Sequence, residues 1–407
     1  MTVLEDRLRV ELAELADALA ENEVHRADVE LARPVENPTI SRRRVLVGVG
    51  ALAAIGLGGL WASGINQTGP GVLTTAAASI DVGSWSPIAA APITSRPYAV
   101  SGWTGSRAVF WAGSNASRDF AHTDGALYDP ATGAWETMNT PGFGHPGLLG
   151  LHLNGELFAA SKGGIVRIDI ESGEEEPIAP PPFQMSAVVE TDGDLWAVGS
   201  RVDGTISVAR HVPAEDRWDS RNDQKSALPA LADGLQDQSV LVRALGSEIV
   251  LCTPTGMCLA FDTATPPTDG AWRFISGPDV GDVPGITGIT EHGLVRLSLT
   301  QKDGRGAALH ILSGDSWTRL VDVLPVTGFR DTETSVIPAG DWLAILSADQ
   351  EPIMVHLATG EWGATEWPLT GTQLPNTVWT GEQLIVWGGV QSNTTEAQGA
   401  IWTPPTN

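Results

Sequence analysis

The sequence predicts a seven-bladed β-propeller over residues 80–407, preceded by an amphipathic helix and one transmembrane span. Three observations carry that expectation: a hairpin phrase that recurs through the chain, a tryptophan that trails it, and a strand pattern left unpaired at each end of the repeat region.

The phrase is an apolar run, a turn glycine and a second alternating apolar run, and it centres on Gly105, Gly155, Gly193, Gly246, Gly293, Gly340 and Gly381. Glycine suits a tight hairpin turn because the turn demands positive φ, where a Cβ would clash. The glycines are spaced by about 46 residues on average, within the range of about 40–50 for four-stranded blades. The runs after them, Ala108–Trp111, Leu157–Ala160, Leu195–Val198, Ile249–Cys252, Leu294–Leu297, Leu343–Leu346 and Leu384–Trp387, read as the second strand of each blade.

A third strand and a turn follow, most clearly in Gly125-Ala126-Leu127-Tyr128-Asp129-Pro130-Ala131-Thr132-Gly133-Ala134-Trp135. Trp218, Trp272, Trp317 and Trp362 trail the later copies, and blade two lacks its tryptophan. A large apolar residue at a fixed period is a packing signal, so these rings are expected between blades and not against a ligand. At the far end, Gly399-Ala400-Ile401-Trp402-Thr403-Pro404 repeats the third-strand phrase with no outer strand after it, while Trp85-Ser86-Pro87-Ile88 has the outer-strand pattern and no blade of its own. Joining the two closes the ring and removes two sheet edges.

Ala112-Gly113, Tyr128 and Trp135 in the first blade, and Gly388-Gly389 in the last, resemble the kelch repeat, whose blades pair a small or double-glycine element with a later Tyr and Trp. The resemblance implies the galactose oxidase-like propeller superfamily, which includes copper oxidases and sugar mutarotases. A copper centre of that kind needs two tyrosines, two histidines and a cysteine bonded to one tyrosine. Only Tyr98 and Tyr128 are present, and Tyr128 holds the structural kelch position. A sialidase-like reading needs an arginine triad and a tyrosine nucleophile, and Tyr98 has no recognisable partners for it.

The net charge of −25 argues against nucleic acid as a partner, since phosphate backbones would be repelled. The eight histidines show no paired spacing on one helix or strand, so no metal site and no cofactor are expected. The acidic run Glu171-Ser172-Gly173-Glu174-Glu175-Glu176 is read as a solvated turn, with calcium as the other reading.

Residues 1–44 carry Leu4, Leu8, Leu12, Leu15 and Leu19 on one stripe of a helix, ended by Pro34 and Pro38. Val45–Trp61 holds no charge and is long enough to span a bilayer. Arg42, Arg43 and Arg44 before it place the N-terminus in the cytoplasm and the propeller outside, with 45–62 as anchor and 63–79 as tether. Alternatively, Ser41–Leu46 resembles a twin-arginine export signal, with cleavage near Ala62-Ser63-Gly64 or Ala76-Ala77-Ala78.

Cys252 and Cys258 flank a Pro-Gly turn, which folds their strands antiparallel and predicts a disulfide in an oxidising compartment. Positions nine or ten residues before the hairpin glycine fall at the start of each inner strand, at the mouth of the channel. There Arg96, His145, Gln184, Asp237 and Asp331 form a candidate binding ring from five blades. The expected function is non-catalytic recognition of an envelope protein or glycan. A sugar-acting enzyme of mutarotase or lyase type, and a signalling protein working through the amphipathic helix, are the alternatives.

Overall fold

The computed structural model describes residues 80–406, except 116–121, 139–148, 154–155, 162–163, 202, 226–230, 232–234, 236–239, 254–255, 265–271, 279–284, 301–304, 314–315, 328–333, 348–349, 370–371, 374 and 392–397. The amphipathic helix, the anchor and the tether therefore lie outside the described residues.

Seven four-stranded antiparallel sheets are present among the described residues. Blade one is Val100–Trp103, Ala108–Trp111, Gly125–Asp129 and Ala134–Thr137, and blade two is Leu149–Leu153, Glu156–Ser161, Gly164–Asp169 and Glu175–Ile178. Blade three runs from Gln184–Thr191 to Arg217–Lys225, blade four from Leu241–Leu245 to Trp272–Ile275, blade five from Gly285–Thr290 to Ser316–Thr327, and blade six from Thr334–Ala339 to Trp362–Ala364. Blade seven is built from both ends of the propeller: Asn376–Trp379, Leu384–Trp387, Gly399–Thr403 and, as outer strand, Ser84–Pro87. Trp85 lies opposite Trp402 and Ser86 opposite Ile401, so the expected closure is the one formed. A short ribbon, Thr372–Gln373 with Val390–Gln391, stands beside the last blade. The first strands of successive blades touch all the way round, which makes them the wall of a central channel.

The hairpin glycines do what tight turns require. Gly105, Gly193, Gly246, Gly293, Gly340 and Gly381 all have positive φ. In blade three Asp192 and Gly193 are both positive, at 54° and 79°, which is the two-residue turn that matches strand twist.

Alternation along the strands sends side chains to the two faces of each sheet, and the faces meet in seven apolar clusters, one at each blade interface. Trp111, Trp387 and Trp402 are fully buried there. Three of the periodic tryptophans also tie their blade to the one before it: Trp135 Nε1 donates to the Ala89 carbonyl, Trp218 to Ala179 and Trp317 to Ser276, each acceptor lying just beyond the outer strand of the preceding blade. Trp402 Nε1 donates to the Val82 carbonyl, just ahead of the outer strand of its own blade. A buried indole thereby keeps both its apolar contact and a hydrogen-bond partner.

Candidate functional site

Each inner strand starts at one end of the propeller and finishes at the other, so the two faces are built differently. On the hairpin face the first two strands are joined by pairs such as Asp192-Gly193, Gly246-Ser247, Glu291-His292 and Gly340-Asp341. On the loop face the chain leaves at Trp111 and re-enters at Gly125, leaves at Lys225 and re-enters at Leu241, and leaves at Val390–Gln391 before re-entering at Gly399. The start of each inner strand, where the ring was expected, is on the loop face. His145, Asp237 and Asp331 lie outside the described residues. Gln184 opens the inner strand of blade three and is exposed.

Arg96 is placed differently from the expectation. Its side chain does not face the mouth but is buried, 1% exposed, at the joint of blades seven and one. Nη1 and Nη2 bridge to Asp124 Oδ1 and Oδ2 at 2.6 and 3.1 Å, Nε donates to the Thr94 carbonyl at 2.8 Å, and Nη2 donates to Thr94 Oγ1 at 3.0 Å. Its own carbonyl accepts from Asn376 Nδ2 at 2.8 Å and from the Gly389 amide at 3.0 Å. The inner strand begins at Val100, later than the repeat spacing implies, because this buried turn precedes it. The Arg96 guanidinium holds the Asp124 carboxyl below the usual carboxylate range. His122 is pushed down as well, by burial first and by Arg96 second.

The double-glycine element has a steric cause. A Cβ on Gly113 would lie 2.9 Å from the Pro97 carbonyl, and one on Gly388 would lie 3.1 Å from that of Arg96. One on Gly199 of blade three would meet the Gln184 carbonyl at 2.0 Å. The chain entering an inner strand crosses the end of the second strand, and only a small residue lets it pass. Aligned by face, that position holds Ala112, Ser161, Gly199, Thr253, Ser298, Ser347 and Gly388. The regularity is visible in the sequence once the strands are aligned.

Two positive side chains stand out at the interface of blades four and five. Arg296 occupies a second-strand position where the other blades carry Phe110, Ala159, Ala197, Leu251, Ile345 and Val386, and it is fully buried. Nη1 donates to Thr287 Oγ1 at 3.1 Å, and a Cβ on Gly256 would lie 2.6 Å from the guanidinium. Gly256 belongs to the turn between Cys252 and Cys258, which are directly opposed and disulfide-bonded, as the spacing predicted. The second cation, Arg243, lies on the inner strand of blade four.

The cleft between blades two and three has a volume of about 140 Å³ and is floored by Phe158, Ile178 and Leu195. Its charges are paired with one another: Arg167 with Glu156 and Glu176, and His211 Nε2 with Asp216 Oδ1 at 3.2 Å. Glu291, His292 and Asp341 gather on two adjacent hairpin turns, all exposed, and His292 Nε2 lies 2.9 Å from Asp341 Oδ1. The acidic run 171–176 forms a turn capped by Asp169, whose Oδ1 accepts from the Ser172 amide at 2.6 Å, while Glu171 pairs with Arg107.

No protein-family model and no curated protein matches the chain. Among solved structures it is similar to a fungal alcohol oxidase of the AA5 family in complex with copper, with a TM-score of 0.56 and 15% identity over 80% of this chain and 77% of that one. The residues here do not fit that metal centre. Both cysteines are bonded to each other, so neither can be joined to a tyrosine, and Tyr128 is packed at 3% exposure beside Trp135. What the likeness shows is the fold, a β-propeller.

Proposed function

We propose that this chain is a kelch-type propeller held on the outer side of a membrane by residues 45–62, where its loop face binds an envelope protein or glycan without turning it over. The observation that carries the reading is the asymmetry of the two faces. Two-residue turns leave the hairpin face little to vary, whereas the long loop-face connections supply adaptable surface on a rigid scaffold. The disulfide supports the external placement, because such bonds persist in oxidising compartments. A copper centre with a cysteine-linked tyrosine, as the kelch resemblance implies, is not supported, since both cysteines are bonded to each other.

The test is a screen of the full-length protein against envelope polysaccharides and simple sugars, with binding read by calorimetry and turnover by NMR of the sugar. Saturable binding with unchanged sugar supports the proposal. Anomer interconversion or a new unsaturated product would establish the sugar-acting enzyme instead. Protease added to intact cells should remove the propeller and spare the segment around Leu12; a protected propeller refutes the orientation.

A further inference from the structure

We infer that the central channel carries a binding site for a small oxyanion, a carboxylate, sulfate or phosphate group, held by Arg243. Independently of what the loops recognise, Arg243 is set apart by where it stands and what surrounds it.

Among the described inner strands, which form the channel wall, the chain places one carboxylate, Glu190, and one cation, Arg243. Glu190 is engaged at the far hairpin, where Oε1 accepts from the Gly193 amide at 2.8 Å. It also shares a sheet face with Leu195, which packs toward blade two. Arg243 is on the opposite course. It lies between Leu241 and Leu245 on the face that meets Ile289 and Leu294 of blade five. Among the described residues its hydrogen bond is from Nη1 to the carbonyl of its neighbour Val242 at 2.9 Å, a contact that uses one of the five N–H donors of the guanidinium.

Arg243 is exposed to water, whereas its flanking leucines are half-buried. Its pKa is nevertheless lowered, with desolvation as the cause. The two facts agree if the side chain stands in a narrow wet channel: water touches it, but the surrounding blades replace most of its bulk solvent. A cation there, in a chain with net charge −25, has carboxylates available for pairing and is paired with none of the described ones. A planar fork with free N–H groups recognises an oxyanion in two-pronged fashion, and the low-dielectric wall strengthens that contact.

The experiment titrates the full-length protein with sodium sulfate, glucuronate and neutral glucose, by calorimetry at constant ionic strength, for the wild type, Arg243→Gln and Arg243→Lys. Wild-type protein is expected to bind sulfate or glucuronate and not glucose. Arg243→Gln should weaken binding by about 10–100-fold, with Arg243→Lys in between because it keeps the charge and loses the fork. Preference for sulfate identifies a free inorganic ion, and preference for glucuronate an acidic sugar. Thermal melting of each variant confirms folding, and an Arg243→Gln protein that melts no lower than wild type agrees with relief of an unpaired charge. No binding by wild type, or equal binding by wild type and the folded variants, overturns the site.

Discussion

Two blade interfaces each enclose a buried arginine, and they surround it differently. At the joint of blades seven and one, Arg96 meets a carboxylate in two-pronged fashion and accepts two further hydrogen bonds at its carbonyl, so it draws together chain segments nearly 300 residues apart, as in the Asn376 contact with its separation of 280. At the joint of blades four and five, Arg296 lies against glycines, with Thr287 as its hydrogen-bonding neighbour and a disulfide beside it. The first is an electrostatic latch where the ring must close. At the second, glycine backbone without side chains makes room for a large cation. An arginine in a core is thus not one kind of feature; its meaning comes from what the neighbouring blade sets opposite it.

The comparison breaks most severely at closure. Trp402→Ala removes a fully buried ring and its bond to Val82, and should lower stability by about 3–5 kcal/mol in denaturant melts. An equal loss for the half-exposed Trp135→Ala would show that closure holds no special weight. Asp124→Ala comes next. It leaves Arg96 buried without its carboxylate, for a loss of roughly 2–4 kcal/mol, the lower part of the range being favoured because Asp124 is half-exposed.

At the other interface the expected effects are smaller. Gly256→Ala places a Cβ 2.6 Å from Arg296 at a residue whose φ is +88°, and should cost about 1–3 kcal/mol. Replacing Cys252 and Cys258 together by Ala should cost about 2 kcal/mol, as a short loop implies, and leave the propeller folded by circular dichroism. Mass spectrometry of alkylated protein without reductant should find both cysteines unlabelled.

The smallest effect is in acid. Asp124 has a lowered folded pKa, so its contribution is fully present above the unfolded carboxylate value of about 4 and is lost as pH falls through the lower folded value. The melting temperatures of wild type and Asp124→Asn should therefore converge below about pH 4. A constant gap down to pH 2 would mean that the carboxylate charge does not act in the latch.

Much of the architecture was legible in the sequence because it is periodic. The glycines of positive φ and the trailing tryptophans report local rules that recur from blade to blade, the two orphan strands report how the ring closes, and register follows from alternation. The site was less legible because its logic crosses between blades. Nothing around Arg96 in the chain announces Asp124, which sits on a connection of blade one, and the count from the hairpin glycine misplaced Arg96 by the length of a buried turn. Arg296 and Arg243 did leave a signal. Each interrupts an apolar run, Val295-Arg296-Leu297 and Val242-Arg243-Ala244, at positions where the aligned strands of other blades stay neutral. Residues 1–79, His145, Asp237 and Asp331 lie outside the described residues.

The outer strand Ser84–Pro87 has a consequence for how the molecule is made. Its partner strand, Gly399–Thr403, carries Trp402, whose bond to Val82 spans 320 residues. During synthesis the first of these segments emerges long before the second exists, so six blades can assemble while the seventh waits with two open edges. Closure is then the late, slow event of folding, set by the highest sequence separation in the domain, and the interval before it is when the chain is most exposed to misassembly with other copies.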